Sequence, residues 1–222
     1  MKSQMKIQYL HTLSQTIRIP SHESWIILDS KNNDTEQVII LAEGAKLDFY
    51  SARTSKKLNL SVVHQGSNSH SRIQCGFHAS ENGKIEAVIK SSFEASHATS
   101  EIHILSLADS LGEVLLDSAI EIQEGTKQIV GRLKERHIFL GNSGKIRGIP
   151  ALIVHSDQIE ASHALAIDRI SDEELFYLRS RGFSGDDATG LLLDGAVSEI
   201  FAGLEKVNEK IYIKCKKNVL GM

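Results

Sequence analysis

A mainly β chain ending in a helical hairpin is the fold class the sequence predicts, and three observations predict it. Apolar residues alternate with polar ones in short stretches as far as about residue 170. Beyond that point they recur at helical spacing. The third observation is compositional: in 222 residues only 5% are aromatic and two are proline, so the core must be built from Ile, Val, Leu and Ala. That length is ample for a cooperative core.

The alternations come in chain order as Leu58/Leu60/Val62, Ile73/Cys75/Phe77, Ile85/Ala87/Ile89, Val114/Leu116, Ile120/Ile122, Ile129/Gly131/Leu133 and Ile138/Leu140. Each reads as a strand of about three to six residues by the period-two rule. Gly, Asn and Ser punctuate them, and the segments 81–84 and 141–144 have the composition to close hairpins. Two architectures fit, an antiparallel sandwich and a solenoid of short parallel strands. Aliphatic side chains stack from rung to rung without gaps, which favours the solenoid, although no strict repeat can be counted. Pro20 is expected ahead of the first strands and Pro150 at the entry to the last.

From Ser171 the signals are helical. Ser171-Asp172-Glu173-Glu174 is a capping box, and Leu175, Phe176 and Leu178 supply a core face. Gly182 is placed to stop the helix in the left-handed conformation. Ser184 caps a second helix with Asp186 and Asp187 in its first turn, and Ala188, Leu191, Leu192, Ala196, Ile200, Leu204 and Val207 follow its inner face. The predicted organisation is a β domain over 1–170 with a short lead-in, a helical hairpin over 171–210, and a basic tail over 211–222. The tail carries Lys214, Lys216 and Lys217 and reads as a solvated or frayed end.

Composition excludes several functions. Two cysteines, Cys75 and Cys215, are too few and too scattered for a disulfide framework or a paired-cysteine metal motif. No apolar run approaches the roughly 18 residues of a spanning helix, and the N-terminus shows no secretion signal, so a cytoplasmic protein without membrane contact is expected. With 25 basic against 28 acidic residues the net charge is −3, which argues against nucleic-acid binding. Phosphate-binding loops, nucleophile elbows and zinc-protease motifs are absent, so no enzyme class is readable. Ten histidines remain, and residues distant in sequence can share one face of a solenoid.

The stretch IPALIVHSDQIEASHALAIDRISDEELFYLRSRGFSGDDATGLLLDGAVSEIFAGL, from Ile149 to Leu204, resembles the C-terminal region of the SufB/SufD family of iron–sulfur cluster assembly proteins. The matching pieces are Pro150, Leu152, Asp157, Ser162-His163, Asp172 to Gly182, Ala188 and Phe201, with the run LFYLRSRG the most specific. Leu178 stands where SufB-type members tend to carry Cys, so the resemblance is to the SufD type. Ala161 replaces a frequent Cys, and Ala164-Leu165-Ala166 replaces Gly-Ala-Thr.

The resemblance implies a right-handed parallel β-helix capped by helices, and a non-catalytic subunit. It implies pairing through the β-helix with a SufB-type paralogue or a second copy. It also implies docking of a SufC-type ABC ATPase by the C-terminal helices, here by Leu175, Phe176, Tyr177, Arg179 and Arg181. His163 matches the family's histidine implicated in cluster assembly, so a transient iron–sulfur cluster at a subunit interface is the expected cargo. The alternatives are a paired β-helix module that has lost cluster assembly, and a β-helix enzyme acting on carbohydrate.

Overall fold

The computed structural model describes residues 5–221; residues 1–4 of the lead-in and Met222 of the tail lie outside them. Strands β1 (Met5–Tyr9), β3 (Ser24–Asp29), β5 (Lys46–Arg53), β7 (His70–Ala79), β9 (Thr99–Ala108), β11 (Ile129–Phe139) and β13 (Ile159–Arg169) form one sheet. Strands β2 (Thr16–Ile19), β4 (Thr35–Leu41), β6 (Lys56–His64), β8 (Lys84–Phe93), β10 (Glu113–Ile122) and β12 (Lys145–Val154) form the other. Every ladder is parallel, and the chain changes sheet at each turn. This is a β-helix, and the sandwich alternative falls because its ladders would be antiparallel. The segments 81–84 and 141–144 therefore close no hairpins; they carry the chain from β7 to β8 and from β11 to β12.

Inward residues stack in register from coil to coil. One ladder runs Phe49, Ile73, Ile102, Leu133, His163, and another Ile39, Val62, Ser91, Ile120, Leu152. Aliphatic chains at a strand spacing of about 4.8 Å fill such a column without rings, which accounts for the aromatic-poor composition. The coils also widen along the axis. Ser24 pairs with Lys46, Lys46 with His70, His70 with Thr99 and Thr99 with Val130, giving coils of 22, 24, 29 and 31 residues.

One corner of each coil is held by a residue in the left-handed region: His22 (φ 60°), Gly44 (62°), Asn68 (58°), His97 (61°) and Gln128 (54°). The N–H of each donates to a carbonyl of the next coil, at Glu43, Ser67, Ser96, Lys127 and Gln158. This pins the coils at one edge while their circumference changes. Gly44 is required twice over, by its φ and because a Cβ there would run into the His22 ring.

His64 lies wholly inside, stacked on Phe93 of the next coil at 4.5 Å. Its Nε2 meets Ser71 Oγ and its Nδ1 meets Ser69 Oγ, each at 2.9 Å. Ser71 already donates to Ser100, so the ring donates from Nε2 and accepts at Nδ1. Burial, with His70 as a lesser cause, pushes the His64 pKa down to about 3. The unfolded ring protonates near pH 6.5 and the folded one does not, so stability is full above pH 6.5 and is lost as pH falls towards 3. The loss approaches about 1.4 kcal/mol per pH unit. Urea midpoints of wild type and His64→Gln between pH 7 and 4 will differ in slope by about one proton; equal slopes would refute the assignment.

The strands of the first sheet are longer than expected because their later halves are buried on both faces. Ile26, Leu28, Tyr50, Ala52, Leu105, Leu107 and Ile138 point outwards and are covered by helices. Helix α2 (Gly185–Ile200), α3 (Leu204–Val207) and α4 (Glu209–Leu220) supply Val197, Ile200, Leu204, Ile211, Cys215 and Val219 to this second core, and Phe201 joins them from the end of α2. Gly76 of β7 makes room for them: a Cβ there would stand 2.8 Å from Val219 and 3.0 Å from the Phe201 ring. The tail expected to be solvated is thus a packed helix, capped by Asn208 at Ile211 N and closed by Gly221. The second helix ends at Ile200, earlier than its apolar spacing suggested, and Gly203 (φ 94°) turns the chain into α3.

The prolines sit differently from expectation. Pro20 follows β2, and Pro150 lies within β12 rather than at the entry to the last strand. A missing N–H is tolerated there because β12 is the edge strand of its sheet, paired only with β10.

Candidate functional site

The widest coils end in two strands with free edges, β12 and β13, each paired on one side only. Their apolar side chains are not covered: Ile149 is 71% and Ile167 64% exposed, and Ile153, Val154 and Leu165 are exposed as well. An open edge with this composition is a template for another strand unless something caps it.

His163 projects from β13 at this end, exposed, with Nδ1 3.1 Å from the carbonyl oxygen of Pro150 on β12. Donation from Nδ1–H to that carbonyl fixes the tautomer and leaves the lone pair on Nε2, the state in which imidazole binds metal. The proline thus contributes an acceptor, placed opposite by the coil.

Deeper in the same end lies a polar group that the sequence reading did not single out. Glu135 and His137 follow Ile129, Gly131 and Leu133 on the inward face of β11 and are almost wholly buried. His137 Nε2 and Glu135 Oε2 are 3.2 Å apart. Ser118 of β10 donates to the other carboxylate oxygen. Gly148 of β12 faces both side chains, and a Cβ there would press on each. The signal was present: the inward parity that marks Leu133 continues to 135 and 137, where polar residues break the apolar rule.

Helix α1 (Asp172–Ser180) leads away from β13. Ser171 caps it, accepting from Glu174 N at 3.3 Å, and Gly182 (φ 97°) ends it, both as expected. Its predicted core face is not one. No residue of α1 is buried; Leu175 and Leu178 are half-buried, while Phe176 is 75% and Tyr177 57% exposed. Two grooves flank the helix, one lined by Phe176, Arg179 and Phe183, the other by Tyr177, Leu178 and Leu191. Arg181 lies over the Tyr177 ring at 5.3 Å, a cation–π pair. Leu175, Phe176, Tyr177 and Arg179 thus lie on one short helix and Arg181 just past its end, with Phe176 and Arg179 on one flank and Tyr177 on the other. His163 belongs to the β-helix edge instead.

The remaining histidines do not form a ligand row. His70 and His103 lie on the outer face of the first sheet, their pKa values lowered chiefly by burial, and His22 and His97 hold corners. Among the described residues no group of three or more His, Cys, Asp or Glu is placed to hold a metal. Both cysteines are buried; burial raises the Cys75 thiol far above its usual range and pushes Cys215 up to about 12. Neither can present a thiolate. No helix among the described residues is long and apolar enough to cross a membrane.

The sequence model of a family described as "SUF system FeS cluster assembly, SufBD core domain" matches residues 29–196. The iron–sulfur cluster assembly protein SufD of Escherichia coli is 25% identical over 104 residues, 47% of this chain and 24% of that protein. A SufBD family protein of Pyrococcus horikoshii is 31% identical over 109 residues, 47% of this chain and 24% of the relative. One from Archaeoglobus fulgidus is 36% identical over 85 residues, 38% of this chain and 23% of the relative. The matched segment thus spans about a quarter of the length of each of these relatives.

Proposed function

This chain belongs to the SufBD core family of iron–sulfur cluster assembly proteins, and from that premise we propose that it is a SufD-like, non-catalytic subunit of a cytoplasmic assembly complex. Its wide end pairs with a SufB-type paralogue or a second copy, and α1 docks an ABC-type ATPase of the SufC kind. The observation that carries the reading is α1 itself. A helix capped at both ends, with two aromatic side chains turned to solvent and grooves on either side, is built to be covered.

The free edges of β12 and β13 support the pairing, since strand addition would satisfy their backbone groups and cover Ile149 and Ile167 together. A cluster assembled there is cargo. With both thiols buried, this chain would offer His163 Nε2 and the partner the remaining ligands. ATPase closure would act on the cluster site mechanically, through α1 and the strand that immediately precedes it.

The test is calorimetric titration of this chain with the ATPase from the same host. Phe176→Asp is expected to weaken binding about 100-fold, the loss typical of a central aromatic anchor. Because Phe176 is exposed, the unfolding midpoint should not move. Unchanged affinity in Phe176→Asp, or no binding by the wild type, would overturn the docking role.

A further inference from the structure

We propose that Glu135 and His137 form an interior two-ligand site for a first-row divalent transition-metal cation. Four observations converge. Among the described residues, Glu135 Oε2 and both nitrogens of His137 are buried without a hydrogen-bond partner, a costly state for a carboxylate and an imidazole. The two side chains are 3.2 Å apart, yet their alignment is not that of a hydrogen bond. Two ligand atoms each about 2.0–2.2 Å from one metal lie about 3.0–3.5 Å apart at octahedral to tetrahedral angles, and this spacing matches one edge of such a polyhedron.

The third observation is Gly148. The position its Cβ would take lies 2.8 Å from Glu135 Oε2 and closer still to His137 Nε2, so the missing side chain leaves a cradle that both donor atoms face. The fourth is Ser118, whose hydroxyl donates to Glu135 Oε1 and orients the carboxylate, the usual outer partner of a metal-binding acid. One carboxylate and one imidazole suit a borderline cation such as Fe²⁺, Co²⁺ or Zn²⁺ better than Mg²⁺, which keeps its waters and prefers oxygen. With two protein ligands the remaining positions fall to water. Leu165 and Ile167 of β13 lie next in register above the pair, so the site sits one ladder beneath the open edge. It is distinct from His163 and does not rest on the assembly role.

Titration of the purified full chain with Co²⁺, followed by visible ligand-field bands and calorimetry, tests it. One cobalt per chain is expected, displaced by Zn²⁺. Glu135→Gln should lower the affinity at least about tenfold. Gly148→Ala should do the same with both ligands retained, because its methyl group occupies the cradle, and its far-ultraviolet circular dichroism should match wild type. No cobalt binding by the wild type, or binding unchanged in both Glu135→Gln and Gly148→Ala, overturns the proposal. Binding lost in His163→Ala but kept in those two also overturns it.

Discussion

Asp29→Ala is expected to destabilise the protein by about 3–5 kcal/mol, the cost of leaving a buried charge without its partner. Arg53 is wholly buried and Asp29 nearly so, and Arg53 Nε donates to Asp29 Oδ2 at 2.6 Å. Ser51 donates to the same oxygen at 2.7 Å. The guanidinium also donates to the carbonyls of Asn33 and Lys57 and to Thr35 Oγ1, so it closes the corner where the turn after β3 meets the start of β6. Removing the carboxylate strands a cation that already satisfies that corner and cannot leave it. For a chain of this size the unfolding midpoint should fall by roughly 10 °C. Asp29→Leu combined with Arg53→Met should recover much of the loss, since an apolar pair of similar volume removes the charge altogether. A fall of less than about 3 °C in Asp29→Ala would show that Arg53 reaches solvent when freed.

Phe201→Ala should cost about 3–5 kcal/mol as well, but from the helical layer rather than the β-helix. Phe201 is fully buried against the outer face of β7, in the space Gly76 leaves open. The interior column and this second core are separate clusters divided by the first sheet. Local opening of α2 and α4 is therefore the expected event. Limited proteolysis should cut the variant between residues 181 and 208 while hydrogen exchange in β6 to β10 stays slow. Simultaneous loss of protection in strands and helices would show instead that the two cores unfold as one.

The two cores explain where the sequence was legible. Strands were found where a buried apolar face alternates with a wet one, as at Leu58/Leu60/Val62 and Ile85/Ala87/Ile89, although β4, with the same alternation, was missed. Strand β9 went unread where helices cover the outer face: Ile104, Leu105 and Leu107 are all buried, so the period of two disappears. The last helix was misread because its lysines were weighed and the spacing of Ile211, Cys215 and Val219 was not. The α1 error has the opposite cause. Its apolar spacing is real, but among the described residues it is covered only in part, at Leu175 and Leu178. At the site, His163 was reached through family resemblance alone, whereas Glu135 and His137 were within reach of parity reasoning once the strand was extended past Leu133.

The widening of the coils also bears on how copies can be joined. Head-to-tail stacking would lay the first coil, 19 residues from Met5 to Ser24, on one of about 30, so the backbone groups of the wide rim would meet too few partners. Two wide rims facing each other about a twofold axis would match in circumference by construction and leave outward only the narrow rims of β1 and β2. In the proposed pairing the taper would therefore favour a closed pair over an open fibre, with the exposed apolar edges of β12 and β13 covered.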